Sequence, residues 1–145
     1  SYRELDFCVG RDQTPYFEYI VCQPGVLEIP EIGREMSFLI RDKTGEERMG
    51  HIPGKVLLEA DRIHFPFTVR SFRPGDRFRP LGMEGEKKLK DFFIDQKIPL
   101  AARRKIPLLF FQNQLLWIAG LRLDDRFRIK PESRRILQVE LRENR

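Results

Sequence analysis

A chain of 145 residues that is 41% hydrophobic, 11% aromatic and 34% charged can bury a core without disulfides or metals, which excludes a disordered or low-complexity protein. Its net charge of +5 is unevenly spread: residues 1–69 carry 8 basic and 12 acidic side chains, residues 70–105 carry 11 and 5, and residues 106–145 carry 8 and 5. Cationic character therefore begins after Val69, which points to an anionic partner for the second half and one domain or two small ones overall.

The longest apolar run, 115–121, falls far short of the ~18–20 residues of a spanning helix, so no membrane segment is expected. No signal-peptide pattern opens the chain, and a cytoplasmic location is expected. Ser1 leads directly into a strand-like pattern, so a fragment of a larger protein is expected. Cys8 and Cys22 form no CxxC or Cys/His cluster with His51 or His64. A disulfide between facing strands stays open, but two free thiols are the preferred reading.

In chain order, Phe17, Tyr19 and Val21 alternate with Glu18, Ile20 and Cys22, and Met36, Phe38 and Ile40 alternate with Ser37, Leu39 and Arg41 before a turn at Asp42-Lys43-Thr44-Gly45. Val56, Leu58 and Ala60 define another strand, followed by a tight turn at Asp61-Arg62. Ile63, Phe65, Phe67 and Val69 share a face, with Pro66 marking an edge strand. Arg73-Pro74-Gly75-Asp76 is a turn and Pro80, Gly82 and Gly85 mark a loop. Leu89, Phe92 and Phe93 recur at i, i+3, i+4, which predicts one main helix over 86–97, ended or kinked by Pro99. A short helical turn is expected over 100–105, strands over 108–111 and 115–121 joined by a Gln112-Asn113-Gln114 hairpin, and a short strand over 127–130. A last strand over 134–142 turns Leu137, Val139 and Leu141 inward. The expected class is α+β and β-rich, with antiparallel, sandwich-like sheets and that one main helix.

The chemistry concentrates between Val69 and Arg126. Three lysines, Lys87, Lys88 and Lys90, sit where a helix N-terminus would favour acids. A bound phosphate resolves that conflict; solvated lysines on an open face are the plainer reading. Asp76 either caps its turn or holds an arginine plane ready for phosphate. Trp117, inside Leu115-Leu116-Trp117-Ile118-Ala119, reads as core rather than as a stacking platform. Asp124 and Asp125, beside Arg122 and Arg126, read as a local ion-pair turn rather than catalytic carboxylates. No GxxxxGK[ST], GxSxG, HExxH or GxGxxG in its proper context occurs, so catalysis by this chain is not expected.

The run from Val69 through Arg73-Pro74-Gly75-Asp76-Arg77-Phe78, Pro80-Leu81-Gly82 and Lys87-Lys88-Leu89-Lys90-Asp91-Phe92-Phe93-Ile94-Asp95 closely resembles the C-terminal domain of tRNA-isoleucine lysidine synthetases. The likeness continues through Lys97-Ile98-Pro99, Arg103-Arg104, Ile106-Pro107-Leu108-Leu109, Trp117-Ile118-Ala119-Gly120 and Arg122, and covers roughly residues 24–141. It implies a parent ligase that uses ATP and Mg to adenylate the wobble cytidine of an isoleucine tRNA and couple lysine there. The parent's Ser-Gly-Gly-x-Asp-Ser nucleotide loop is absent here, so no catalytic residue and no cofactor is assigned to this chain. The implied partners are the acceptor stem of isoleucine tRNA and the chain's own N-terminal catalytic domain, with a homodimer left open. Residues 1–68 are read as a partial β-rich subdomain linking to that catalytic domain, and residues 69–145 as the C-terminal tRNA-binding domain. Arg70, Arg73, Arg77, Lys87, Lys88, Lys90, Arg103, Arg104, Lys105 and Arg122 are the residues expected to hold tRNA. A-form stems hide their base edges, so phosphates, 2′-hydroxyls and shape should dominate. The rival reading is a structural module that packs on the catalytic domain or mediates dimerisation.

Overall fold

The computed structural model describes residues 15–47, 53–79 and 85–143. The first half supplies strands β1 (Glu18–Val21), β2 (Gly25–Ile29), β3 (Arg34–Asp42) and β4 (Lys55–Glu59). Strand β5 (Phe67–Arg70) and the two-residue strands β6 (Arg77–Phe78) and β7 (Lys87–Lys88) lead to helices α1 (Leu89–Asp95) and α2 (Leu100–Arg103). Strands β8 (Leu108–Phe111), β9 (Gln114–Ile118), β10 (Arg122–Leu123) and β11 (Arg135–Glu143) complete the described elements.

Two antiparallel sheets make the sandwich, in the orders β2-β3-β11-β4 and β10-β9-β8-β5-β1, so the fold is β-rich α+β as expected. Alternation sets the register of the first sheet. Met36 pairs with Leu141, Phe38 with Val139 and Ile40 with Leu137, and across the other edge of β11 Val139 meets Val56 and Leu137 meets Leu58. A slip of one residue would turn that whole file to solvent. Phe67, Val69, Leu109, Phe111, Leu116 and Trp117 face it from the second sheet and close the main core.

Strand β8 is buried at all four positions because its second face is covered too. Leu108 and Phe110 join Leu115, Ile118, Phe78, Leu89, Phe92 and Phe93 in a separate cluster beneath the helices. A bulge in β9 lets one strand serve both cores: Leu115 pairs with Phe110 and Trp117 with Leu109, leaving Leu116 without an opposite residue. Leu116 and Trp117 therefore both enter the sandwich core. In the second cluster Phe78 meets Phe92 edge to face at 5.1 Å, and Phe72 meets Phe93 at 5.4 Å.

Four expectations need correcting. The helix is shorter than 86–97: it runs Leu89–Asp95, because Lys87 and Lys88 are drawn into pairing with Arg77 and Phe78. Its apolar stripe, Leu89, Phe92 and Phe93, is the expected one. Pro66 does not mark an edge strand; β5 starts one residue after it and lies inside the sheet, between β8 and β1. Residues 115–121 do not form one strand. Strand β9 stops at Ile118, and Gly120 at φ 77° turns the chain back so that Arg122 pairs with Ile118. Instead of a strand over 127–130, a 3-10 turn spans Asp125–Phe127, because the Asp124 carboxylate captures the Arg126 N–H at 2.9 Å.

The first strand of the second sheet, β1, comes from the first half, and β11 of the first sheet comes from the second half. The division at residues 68 and 69 thus falls within β5. Cys22 is an exposed free thiol; Cys8 lies outside the described residues, as does the Pro80-Gly82 loop.

Helix α1 ends in a Schellman motif: the Ile98 N–H reaches back to the Phe93 carbonyl at 2.9 Å and the Lys97 N–H to the Ile94 carbonyl at 3.0 Å. This places Lys97 at φ 58°, a left-handed position usually given to glycine. A side chain there costs about 1 kcal/mol.

Candidate nucleic-acid interface

The ribbon of β6 and β7 sets two cations side by side. Its register pairs Arg77 with Lys88 and Phe78 with Lys87. Phe78 points into the helix-side core, so Arg77 points outward. Like charges directly opposite on paired strands repel. Neither Arg77 nor Lys88 has a carboxylate partner among the described residues, and both are exposed. Lys90 follows, exposed and also without such a partner, in the first turn of α1. Helix α1 begins only at Leu89, whose N–H is already taken by the Asp76 carbonyl at 2.8 Å, so Lys88 is grouped with Arg77 by the ribbon.

The remaining expected cations divide by what they touch. Lys87 is ion-paired with Asp95 and so is neutralised. Arg103 donates to the Ile98 carbonyl at 3.1 Å and lies 5.9 Å from the Phe93 ring centroid, bracing the end of α1. Arg104 and Lys105 are exposed just beyond α2. Arg122 is partly buried, its guanidinium 5.6 Å from the Phe92 centroid. All of these belong to the layer that caps the outer face of the second sheet.

Arg70 and Arg73 stand apart from that group. Arg70 is buried, lies 4.1 Å above the Phe110 ring and is gripped by both oxygens of Asp76. Arg73 donates to the Tyr16 hydroxyl at 2.6 Å and to Glu18 at 2.7 Å, and these partners raise its pKa, the Tyr16 contact most. Asp76 makes a structural pair with Arg70, whose guanidinium is buried rather than presented to a phosphate. Asp76 also caps the turn by accepting the Arg73 N–H at 2.8 Å.

Asp124, whose side chain is 0% exposed, accepts from the Arg79 N–H at 3.1 Å and from the backbone and guanidinium of Arg126. Its own N–H goes to the carbonyl of the bulge residue Leu116 at 2.8 Å. Asp125 pairs with Arg128 at 3.0 Å. Both acids thus stitch β6 and the 3-10 turn to β9. Among the described residues no three His, Cys, Asp or Glu gather in a way that could hold a metal, and no helix is long and apolar enough to cross a membrane. Lys97 is a cation that the charge pattern alone did not single out. The signal lay in the gap between a helix ending near Asp95 and Pro99, which offers no glycine for the left-handed turn.

The family model described as the TilS substrate C-terminal domain matches residues 67–141, from the first residue of β5 into β11. The chain belongs to that family. The chain is 53% identical over 81 residues to the tRNA(Ile)-lysidine synthase of Geobacter sulfurreducens, covering 56% of this chain and 17% of that protein. It is 34% identical over 124 residues to the tRNA(Ile)-lysidine synthase of Caldanaerobacter subterraneus subsp. tengcongensis, covering 86% of this chain and 26% of that protein. The matches thus span about a quarter or less of these relatives' length. A crystal structure of a TilS C-terminal domain shares the fold, with a TM-score of 0.71 over 88% of this chain and 98% of the other at 24% identity. The matched segment contains the whole cationic helix-side layer.

Proposed function

We propose that this chain is the tRNA-holding, non-catalytic region of an ATP-dependent ligase that joins lysine to the wobble cytidine of isoleucine tRNA. The observation that carries this reading is the Arg77–Lys88 pair, followed by Lys90, three exposed cations with no carboxylate partner among the described residues. A phosphate backbone would relieve that repulsion, and an acceptor stem, whose base edges are recessed, offers such a backbone. The tRNA(Ile)-lysidine synthases it resembles are tRNA-modifying by name, which fits. The sequence has no glycine-rich phosphate loop to cradle ATP, and Asp76, Asp124 and Asp125 are engaged in ion pairs and backbone caps. Adenylation is therefore assigned to the catalytic domain, and this chain alone should consume no ATP with tRNA and lysine.

A second role is favoured by the outer face of the first sheet. It carries Glu28, Glu35 and Glu140 together with Lys55, opposite Glu140, and Arg142, paired with Glu35, beside exposed Val26 and Leu39. A mixed-charge surface with exposed apolar residues suits contact with protein, the catalytic domain or a second copy.

The test is binding of isoleucine tRNA to the wild type and to the Arg77→Ala, Lys88→Ala, Lys90→Ala triple variant across salt concentrations. Loss of two to three phosphate contacts should make the slope of log K against log salt shallower by about two units. An unchanged slope and affinity would remove the ribbon from the interface.

A further inference from the structure

The turn between α1 and α2 carries features that the charge grouping does not explain. Lys97 occupies left-handed backbone that glycine would fill without strain. Ile94 and Leu100, three residues before and after it, are 51% and 72% exposed. Neither is needed by the core beneath, which α1 already fills with Leu89, Phe92 and Phe93. Strained backbone that persists in an exposed, hydrogen-bonded turn points to a task for the side chain it carries. Lys90, Lys97 and Lys105 are exposed around this turn without carboxylate partners among the described residues, and the nearby Asp95 is already taken by Lys87.

Resting on the tRNA-holding reading, we propose that this turn is a second RNA contact: Lys97 meets a backbone phosphate while Ile94 and Leu100 close on an apolar nucleotide face, ribose or base, of the same RNA. The occupant is an RNA rather than a protein because residues 87–105, which hold the apolar pair, carry seven cations against two acids, one of them already paired with Lys87. A wide, shallow A-form minor groove presents riboses beside phosphates, which is the complement of that pattern.

Lys97→Gly and Leu100→Ser separate the two halves of the contact, each measured by thermal melting and by isoleucine tRNA binding across salt. Lys97→Gly should melt higher, by about 3 °C, because glycine relieves the left-handed position. The same variant should bind tRNA about fivefold more weakly with a salt slope shallower by about one unit. A purely structural lysine could not give higher stability together with weaker binding. Leu100→Ser should melt as the wild type and bind about fivefold more weakly with its salt slope unchanged, since an apolar contact releases no counterions. Wild-type binding by both variants would overturn the turn as a contact while leaving the ribbon in place. A wild type that self-associates, and a Leu100→Ser variant that does not, would make the turn a protein interface and overturn it too. Absence of salt-dependent tRNA binding by the wild type would overturn both this inference and the reading on which it rests.

Discussion

Asp76 receives the Arg70 guanidinium on both carboxylate oxygens, at 2.8 and 3.0 Å, with each side chain only 11% exposed. The Asp76 carbonyl also accepts the Leu89 N–H at 2.8 Å, so one residue ties the end of β5 to the start of α1. Breaking a buried pair from one side strands the other charge. Arg70→Ala should therefore lower unfolding stability by about 3 kcal/mol in urea titration, including its lost packing on Phe110. A cost near zero would mean that Arg70 does not anchor the helix layer. The salt slope of tRNA binding by the folded variant should stay at the wild-type value, because this cation is already committed.

Asp124 makes a comparable junction with backbone donors. Removing its carboxylate in Asp124→Ala leaves the Arg79 and Arg126 N–H groups without their acceptor, while the Arg126 guanidinium, 39% exposed, can return to water. The expected cost is about 2 kcal/mol, with Asp124→Asn losing less because its amide oxygen still accepts. Equal stability of the alanine variant and the wild type would contradict the role assigned to this acid.

Two carboxylates held by backbone N–H donors, Asp61 and Glu47, give the protein an acid limb. The Arg135 N–H at 2.8 Å, helped by Arg134, holds Asp61 below the usual carboxylate range. The Thr44 N–H and the Arg41 guanidinium hold Glu47 further below it. A folded pKa below the unfolded value, about 4, means that the stabilisation is complete above roughly pH 5 and fades as pH falls through the lowered folded values. The urea midpoint of the wild type should drop on acidification, and Asp61→Asn should show a flatter drop. Parallel acid limbs for the two proteins would rule out Asp61 as a contributor.

Trp117 is 3% exposed and packed between the sheets, so it reports on the core and not on RNA. Its fluorescence should stay unchanged when tRNA binds, and Trp117→Phe should keep wild-type affinity. Trp117→Ala should cost about 3–5 kcal/mol of stability. Quenching by tRNA in the native protein would return this ring to the interface.

The paired strands Arg34–Asp42 and Arg135–Glu143 of the first sheet were legible because Met36, Phe38, Val139 and Leu141 alternate strictly, the mark of a sheet with one buried face. A strand was expected over Leu108–Phe111, but a strand buried on both faces has no period, so the second core beneath the helices could not be read. Helix content was visible in Leu89, Phe92 and Phe93, but its start was not, because Lys87 and Lys88 answer to Arg77 and Phe78 across a loop. Charge grouping after Val69 could be counted, yet which cations are spent could not. Arg73 meets Glu18 across 55 positions of sequence, and Lys87 meets Asp95 across 8. Strand Gly25–Ile29 also went unanticipated; its hydrophobic residues bury only Ile29 fully, so its pattern is weak.

The most direct measurement is the affinity of this chain for isoleucine tRNA as a function of salt. Arg77, Lys88, Lys90, Lys97 and Lys105 are exposed on the helix-side layer without carboxylate partners among the described residues, and contact by most of them predicts a slope of log K against log salt of about −3 or steeper. A slope near zero, or affinity that does not respond to salt at all, would contradict a grip on the RNA backbone.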